Sequence, residues 1–236
     1  IVRRFPIGPI LGIAPFNFPL NLVGHKIAPA IASGNPIILK PAPKTPITAL
    51  MLGEIISQAG LPAGSVSILP CGNDLAEKMA MDERFKLLSF TGSARVGWYL
   101  KSKAGKKKVL LELGGNAGVI IHQDADLDLA ARRCAAGGFS YAGQSCISVQ
   151  RIFVQEKAVK PFLDRLLSHV KGLKTGDPME DSTNVGPMID LGAAERTQQW
   201  VEEAVKQGAK ILTGGKRKGR LFEPTVLTDV TPFMKV

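Results

Sequence analysis

Leu87-Leu-Ser-Phe-Thr-Gly-Ser-Ala-Arg-Val-Gly97 is the stretch on which the architecture of this chain turns. Leu87 to Phe90 is a short apolar run of strand length, Thr-Gly-Ser93 is a turn, and a helix starts near Ser93. A strand that enters a helix through a glycine turn is the building unit of parallel α/β sheets. The same geometry aims backbone N–H groups and the positive end of the helix at an anion such as a pyrophosphate. Gly92, Ser93 and Gly97 do not spell GxGxxG, so the segment needs support from the rest of the chain.

That support comes from both sides. Upstream, Ile10 to Ala14 reads as a strand, and a helix follows Pro19 through Leu22, Ile27 and Ile31 until Ser33-Gly34-Asn35-Pro36 ends it. Ile37 to Leu39 is a buried strand. Thr45-Pro46 opens a helix with proline in its first position, carrying Leu50, Leu52, Ile55 and Ile56 as far as Gly60. Val66 to Leu69 is a strand, and a helix runs through Leu75 and Met79. Downstream, strands are expected at Lys108 to Glu112, Val119 to Ile121 and Arg151 to Val154. Helices are expected from about Asp126, from about Lys157 and over 191–207, with strands Lys210 to Leu212 and Phe222 to Leu227 at the end. Strands alternating with helices predict an α/β fold with a parallel sheet and helices on its faces. The pair Gly114-Gly115 is a natural junction, dividing the chain into 1–114 and 115–236.

Composition narrows the function. Of 236 residues, 45% are hydrophobic and 21% charged, a globular balance. Apolar runs such as Val119-Ile-Ile121 are too short to span a bilayer. Ile1-Val-Arg-Arg lacks the apolar core of a signal peptide, so the expectation is a cytoplasmic protein with no membrane partner. Three cysteines without a CxxC pair, and His25, His122 and His169 far apart with no HExxH, argue against a metal site. The net charge of +10 would suit nucleic acid. The lysine clusters are not interleaved with aromatics as a base-stacking surface requires, so a solvated surface or an anionic cofactor is the simpler reading.

Three residues have the chemistry of a reaction centre. Cys146 follows small or polar neighbours, Ala142-Gly-Gln-Ser145, suited to an accessible turn, whereas Cys71 at a strand end and Cys134 among alanines read as small hydrophobes. A thiolate attacks carbonyls well. Glu112 closes the apolar run Val109-Leu-Leu111, and a partly desolvated carboxylate there would suit a general base. Asn17, in Pro15-Phe-Asn-Phe-Pro19, either caps the following helix or donates its amide N–H to an oxyanion. Lys40 ends a strand, where open α/β sheets bind cofactors, unless it is a surface lysine.

With these segments in this order, the chain resembles the aldehyde dehydrogenase superfamily. Pro15-Phe-Asn-Phe-Pro19 resembles its oxyanion segment, Lys40-Pro-Ala-Pro-Lys-Thr-Pro46 its adenosine-ribose segment, and Phe90-Thr-Gly-Ser93 its pyrophosphate turn. Leu111-Glu-Leu-Gly-Gly115 and Gly143-Gln-Ser-Cys146 resemble its glutamate and cysteine signatures. The segments around Phe18, His25 and Tyr141 look closest to lactaldehyde dehydrogenase-like members.

The resemblance implies a Rossmann-type cofactor-binding domain over 1–114 and a catalytic cysteine domain over 115–236. It also implies NAD or NADP as cofactor and a small aldehyde as substrate. Cys146, Glu112 and Asn17 would be catalytic. Phe16, Lys40, Pro43, Lys44, Gly92, Ser93, Gly97, Leu113 and Gly114 would face the cofactor. Phe18, Leu22, His25, Tyr141 and Ile147 would line the substrate site.

Members of the family that prefer NAD often carry a glutamate where this chain has Pro43, which points towards NADP. Members also begin before Ile1 and continue past Val236. The chain therefore resembles a central fragment of a protein that, at full length, forms dimers or tetramers. An acylating dehydrogenase or phosphate-linked reductase on the same fold, a non-catalytic relative and a cysteine hydrolase are the alternatives.

Overall fold

The computed structural model describes residues 1–236, which divide into two compact units, Ile1–Gly114 and Gly115–Val236. The first holds strands β1 (Ile10–Ile13), β2 (Ile37–Lys40), β3 (Val66–Ile68), β4 (Leu87–Thr91) and β5 (Lys108–Glu112). Helices α1 (Asn21–Ala32), α2 (Ile47–Ser57), α3 (Asn73–Met81) and α4 (Ala94–Lys103) connect them. All pairings are parallel and the order is β3-β2-β1-β4-β5. This is the doubly wound arrangement: the chain builds outward from β1 to β3, then returns to β1's other side for β4 and β5.

Side-chain alternation separates two cores, one on each face of the sheet. Leu11, Ile13, Leu88 and Phe90 pack with Ala76, Met79 and Ala80 of α3 and Leu100 of α4. Ile10, Ile37 and Leu39 pack with Val23, Ile27 and Ala30 of α1 and Ala49 of α2. Central strands such as Ile10-Leu-Gly-Ile13 are buried on both faces, and so read as near-continuous apolar runs.

Helix α2 departs from its sequence reading at its start. Pro46 occupies its N-cap, one residue before the first helical position expected for it. Leu50 and Ile55, with Ile47 and Met51, lie on an exposed outer face, and only Ala49, Leu52 and Ile56 join the core.

In the second unit, β6 (Ala117–Ile121) and β7 (Val149–Val154) pair in parallel around α5 (Leu127–Phe139). Helix α6 (Val159–Lys171) lays Phe162, Leu166 and Val170, one face at four-residue spacing, against Ala131, Cys134 and Ala135 of α5. Cys134 is buried there as a small hydrophobe, and burial raises its thiol pKa.

The parallel pattern stops after α7 (Leu191–Lys206). Strand β8 (Lys210–Thr213) pairs antiparallel with β11 (Val226–Thr228), and β9 (Arg217–Lys218) forms a hairpin with β10 (Leu221–Phe222). The single strand expected from Phe222 to Leu227 is thus two strands in separate ladders. Pro224 lies between them and has no N–H to donate to a continuous ladder. Strand β9 falls in the basic run Lys216-Arg-Lys218, which carries no apolar signal. No helix is long and apolar enough to cross a membrane, and no group of three or more His, Cys, Asp or Glu is arranged to hold a metal.

Candidate active site

In the first unit, parallel strand direction brings four of the candidate segments to one edge of the sheet. Asn17 follows β1, Lys40 ends β2, Gly92 and Ser93 follow β4, and Glu112 ends β5. Backbone bonds tie the strand ends together: Ala14 N–H donates to Lys40 C=O at 3.1 Å and Gly92 N–H to Glu112 C=O at 3.0 Å. This is the carboxyl edge, and β1 and β4 flank the point where strand order reverses, the place where doubly wound sheets bind ligands.

The glycine turn packs tightly from beneath. A Cβ on Gly97 would lie 2.5 Å from Leu113 Cδ2 and 3.1 Å from Phe90 Cε1, and one on Gly92 2.6 Å from Phe90 Cζ. The N-terminus of α4 therefore sits directly on Phe90 and Leu113. Ser93 is its N-cap, exposed and without a side-chain cap bond, so its hydroxyl and the first-turn N–H groups form a donor set suited to an anion.

Lys40 is buried, which removes the surface-lysine alternative. Burial pushes its ammonium below the ordinary lysine pKa, with Cys71 acting in the opposite direction. Cys71 stands three residues beyond β3 and not at its end, half-buried against the core below α3 and α4. Pro43 and Lys44 are exposed.

Asn17 does not cap α1. The N-cap is Leu20 with no side-chain bond, and Asn17 Oδ1 accepts from Phe18 N–H at 3.1 Å. Phe16, Phe18 and Leu22 are half-buried, while His25 is exposed on α1.

Glu112 overturns one expectation, because its side chain is exposed. β5 is an edge strand whose alternate residues Val109 and Leu111 meet the α3/α4 core. Lys108, Leu110 and Glu112 face the other way and join neither core. The apolar run that suggested desolvation is buried on one side only.

On that same face lies a residue the sequence reading missed. Lys26 of α1 is 8% exposed, and its Nζ donates to Ser89 Oγ at 3.0 Å and to Thr91 Oγ1 at 2.9 Å. Thr91 is the cross-strand partner of Glu112. Burial lowers the Lys26 pKa to about 8, opposed by the Glu112 carboxylate. Gly12 makes room for the lysine stem: a Cβ there would stand 3.4 Å from Lys26 Cδ and 3.0 Å from Leu39 Cδ1. The available signal was a lysine between the apolar positions Val23 and Ile27, which α1 turns towards the sheet.

Cys146, Tyr141 and Ile147 belong to the second unit, and all three are exposed. Cys146 and Ile147 follow a 3₁₀ turn, Ser140–Gly143, in which Tyr141, Ala142 and Gly143 adopt φ of 54°, 55° and 71°. Beyond the cysteine, the buried Ser148 donates its hydroxyl to Gly138 C=O at 3.1 Å. A Cβ on Gly115 would lie 2.9 Å from the Cys146 carbonyl oxygen, so a residue with a side chain there would push the cysteine backbone away. Gly114, at the end of the first unit, is exposed with open space around it.

The model of the family described as "Aldehyde dehydrogenase family" matches residues 1–236. A 3-sulfolactaldehyde dehydrogenase of Priestia aryabhattai is 47% identical over 234 residues, 99% of this chain and 49% of that protein. A lactaldehyde dehydrogenase of Methanocaldococcus jannaschii is 43% identical over 230 residues, 95% of this chain and 50% of that protein. Among solved structures, aldehyde dehydrogenase 21 of Physcomitrella patens in complex with succinate superposes with a TM-score of 0.93 at 52% identity. That match covers 96% of this chain and 48% of the other. A glyceraldehyde-3-phosphate dehydrogenase of M. jannaschii complexed with NADP superposes with a TM-score of 0.93 at 43% identity, covering 95% and 50%. The chain spans about half the length of the curated relatives it matches.

Proposed function

Because this chain belongs to the aldehyde dehydrogenase family, we propose that it carries the coenzyme turn and the nucleophile of an NAD(P)-dependent enzyme that oxidises a small aldehyde to a carboxylic acid. The observation that carries the reading is an exposed cysteine on a rigidly built turn, in a chain whose sheet presents Asn17, Lys40, Ser93 and Glu112 along one carboxyl edge. We assign the first unit to the coenzyme and the second to the nucleophile.

In this reading the Cys146 thiolate adds to the aldehyde carbonyl carbon, forming a C–S bond and an oxyanion. The side-chain amide of Asn17 and the Cys146 N–H donate to that oxyanion. Such a donor is worth about 3–4 kcal/mol because it is pre-aimed at charge that develops only in the transition state. The bound coenzyme supplies the hydride acceptor. Loss of hydride leaves an acyl thioester on Cys146. Glu112 then takes a proton from water, whose oxygen attacks the thioester carbonyl, and the acid and the free thiol are released. Glu112 is exposed, so water reaches it without any rearrangement, and its role rests on its place at the end of β5.

For the coenzyme, the Ser93 hydroxyl and the first-turn N–H groups of α4 would hold the pyrophosphate, Lys40 the adenosine ribose. Pro43 offers no carboxylate to repel a 2′-phosphate, and exposed Lys44 adds positive charge, so NADP is accepted at least as well as NAD. The hydrolytic glutamate favours release of a free acid over transfer to another acceptor, and relatives named as lactaldehyde dehydrogenases favour a short polar aldehyde.

The test is reduced-coenzyme formation at 340 nm by the full-length protein with a panel of small aldehydes, wild type against Cys146→Ala. Loss of all turnover on substitution is expected. Undiminished turnover by Cys146→Ala would remove the thioester route.

A further inference from the structure

The turn before Cys146 is held in a conformation that its own residues disfavour. Tyr141 and Ala142 both occupy the left-handed region at ψ 36°, where a Cβ crowds the backbone, and only Gly143 suits it. Such a turn persists only when its surroundings over-determine it. Three contacts do so. Ala142 packs against the buried cluster of Met188, Ala193 and Ala194. Gly143 approaches the Gly138 carbonyl so closely that a Cβ would stand 3.3 Å from it. Gln144 reaches out of the turn, and its Oε1 accepts from Ile189 N–H at 2.9 Å, across 45 residues of sequence.

The segment that receives Gln144 is itself fixed. Met188 N–H donates to Arg220 C=O at 2.9 Å, and Asp190 caps α7 by accepting from Ala193 N–H at 2.7 Å. The nucleophile therefore lies between two anchors: Gln144 tied to the segment leading into α7, and Ser148 tied to the end of α5. Between them, Cys146 and Ile147 make the exposed crest.

Resting on the reading of Cys146 as nucleophile, we propose that Gln144 is a positioning residue. Its side-chain carbonyl fastens the strained turn to Ile189 and so sets the direction from which the thiol meets the carbonyl carbon. The job needs an acceptor oxygen at the end of a two-methylene stem. Glutamate has one, asparagine falls a methylene short, and leucine has none.

The experiment uses the full-length protein with Gln144→Leu, Gln144→Asn and Gln144→Glu, and measures kcat, KM for coenzyme and the rate at which iodoacetamide alkylates each cysteine. Cys134, 5% exposed, reports on the fold. The expected kcat loss is about 100-fold for leucine and about 10-fold for asparagine, since ångström-scale misplacement of a reacting group costs of that order. Glutamate should stay within about threefold of wild type. Coenzyme KM should hold, Cys146 should still alkylate and Cys134 should stay protected.

The proposal is overturned if the leucine variant keeps wild-type kcat, if glutamate fails as badly as leucine, or if lost activity comes with alkylation of Cys134. Should leucine not fold, the asparagine and glutamate pair decides. These failures are distinct from failure of the nucleophile assignment, which shows as activity in Cys146→Ala.

Discussion

Lys26 offers the strongest quantitative test of the first unit. Its ammonium is buried between α1 and the sheet with only the Ser89 and Thr91 hydroxyls as direct hydrogen-bond partners, and its pKa falls from 10.5 to about 8. A depressed lysine pKa means that the folded chain releases this proton more readily than the unfolded one. Between about pH 8 and 10.5 the unfolded state then binds one more proton, so stability rises with pH across that window and is lost again as pH falls back to about 8. The difference of about 2.5 pH units corresponds to about 3 kcal/mol at ~1.36 kcal/mol per unit.

Lys26→Met keeps an unbranched stem beside Gly12 and removes the charge. Its loss of the two hydroxyl contacts is a constant offset, whereas the titration is not. Denaturant unfolding of full-length wild type and Lys26→Met between pH 7 and 10.5 should give a stability difference that moves by about 3 kcal/mol in favour of wild type as pH rises. Subtracting the two curves cancels the other lysines. A difference that stays flat over the whole range would refute a buried, titrating Lys26.

Two further outcomes follow from the coenzyme edge. Gly97→Ala places a methyl 2.5 Å from Leu113 Cδ2 and forces α4 off β4 and β5, which should cost about 1–3 kcal/mol in thermal unfolding and raise coenzyme KM. Steady-state kinetics with both coenzymes should show NADP used at least as well as NAD, and Pro43→Glu should lower kcat/KM for NADP about tenfold or more by like-charge repulsion. A large preference for NAD in the wild type would refute the role given to Pro43.

How much of this was legible in the sequence follows from how each signal arises. Strands buried on both faces, such as Ile10–Ile13 and Ile37–Lys40, announce themselves as apolar runs, because every side chain meets a core. Their alternation with helices is enough for a parallel sheet. The hairpin of β9 and β10 was not legible, because its ladder is two residues long and pairs the basic Arg217–Lys218 with Leu221–Phe222, too short to set up an alternating pattern. Pro224 did carry a warning against one long final strand.

At the candidate site, the sequence alone determined which chemistry was on offer: a thiol in a small-residue turn, a carboxylate at a strand end, an amide between prolines and a glycine turn before a helix. Those are properties of residue type and local spacing. Tertiary structure decided what surrounds them. It exposed Glu112, because β5 is an edge strand with one open face, and it buried Lys40 and Lys26. It also freed Asn17 from capping duty and tied Gln144 to Ile189. Burial, charge proximity and long-range hydrogen bonds depend on which strands become neighbours. The order β3-β2-β1-β4-β5 joins residues as far apart in sequence as Lys26 and Glu112.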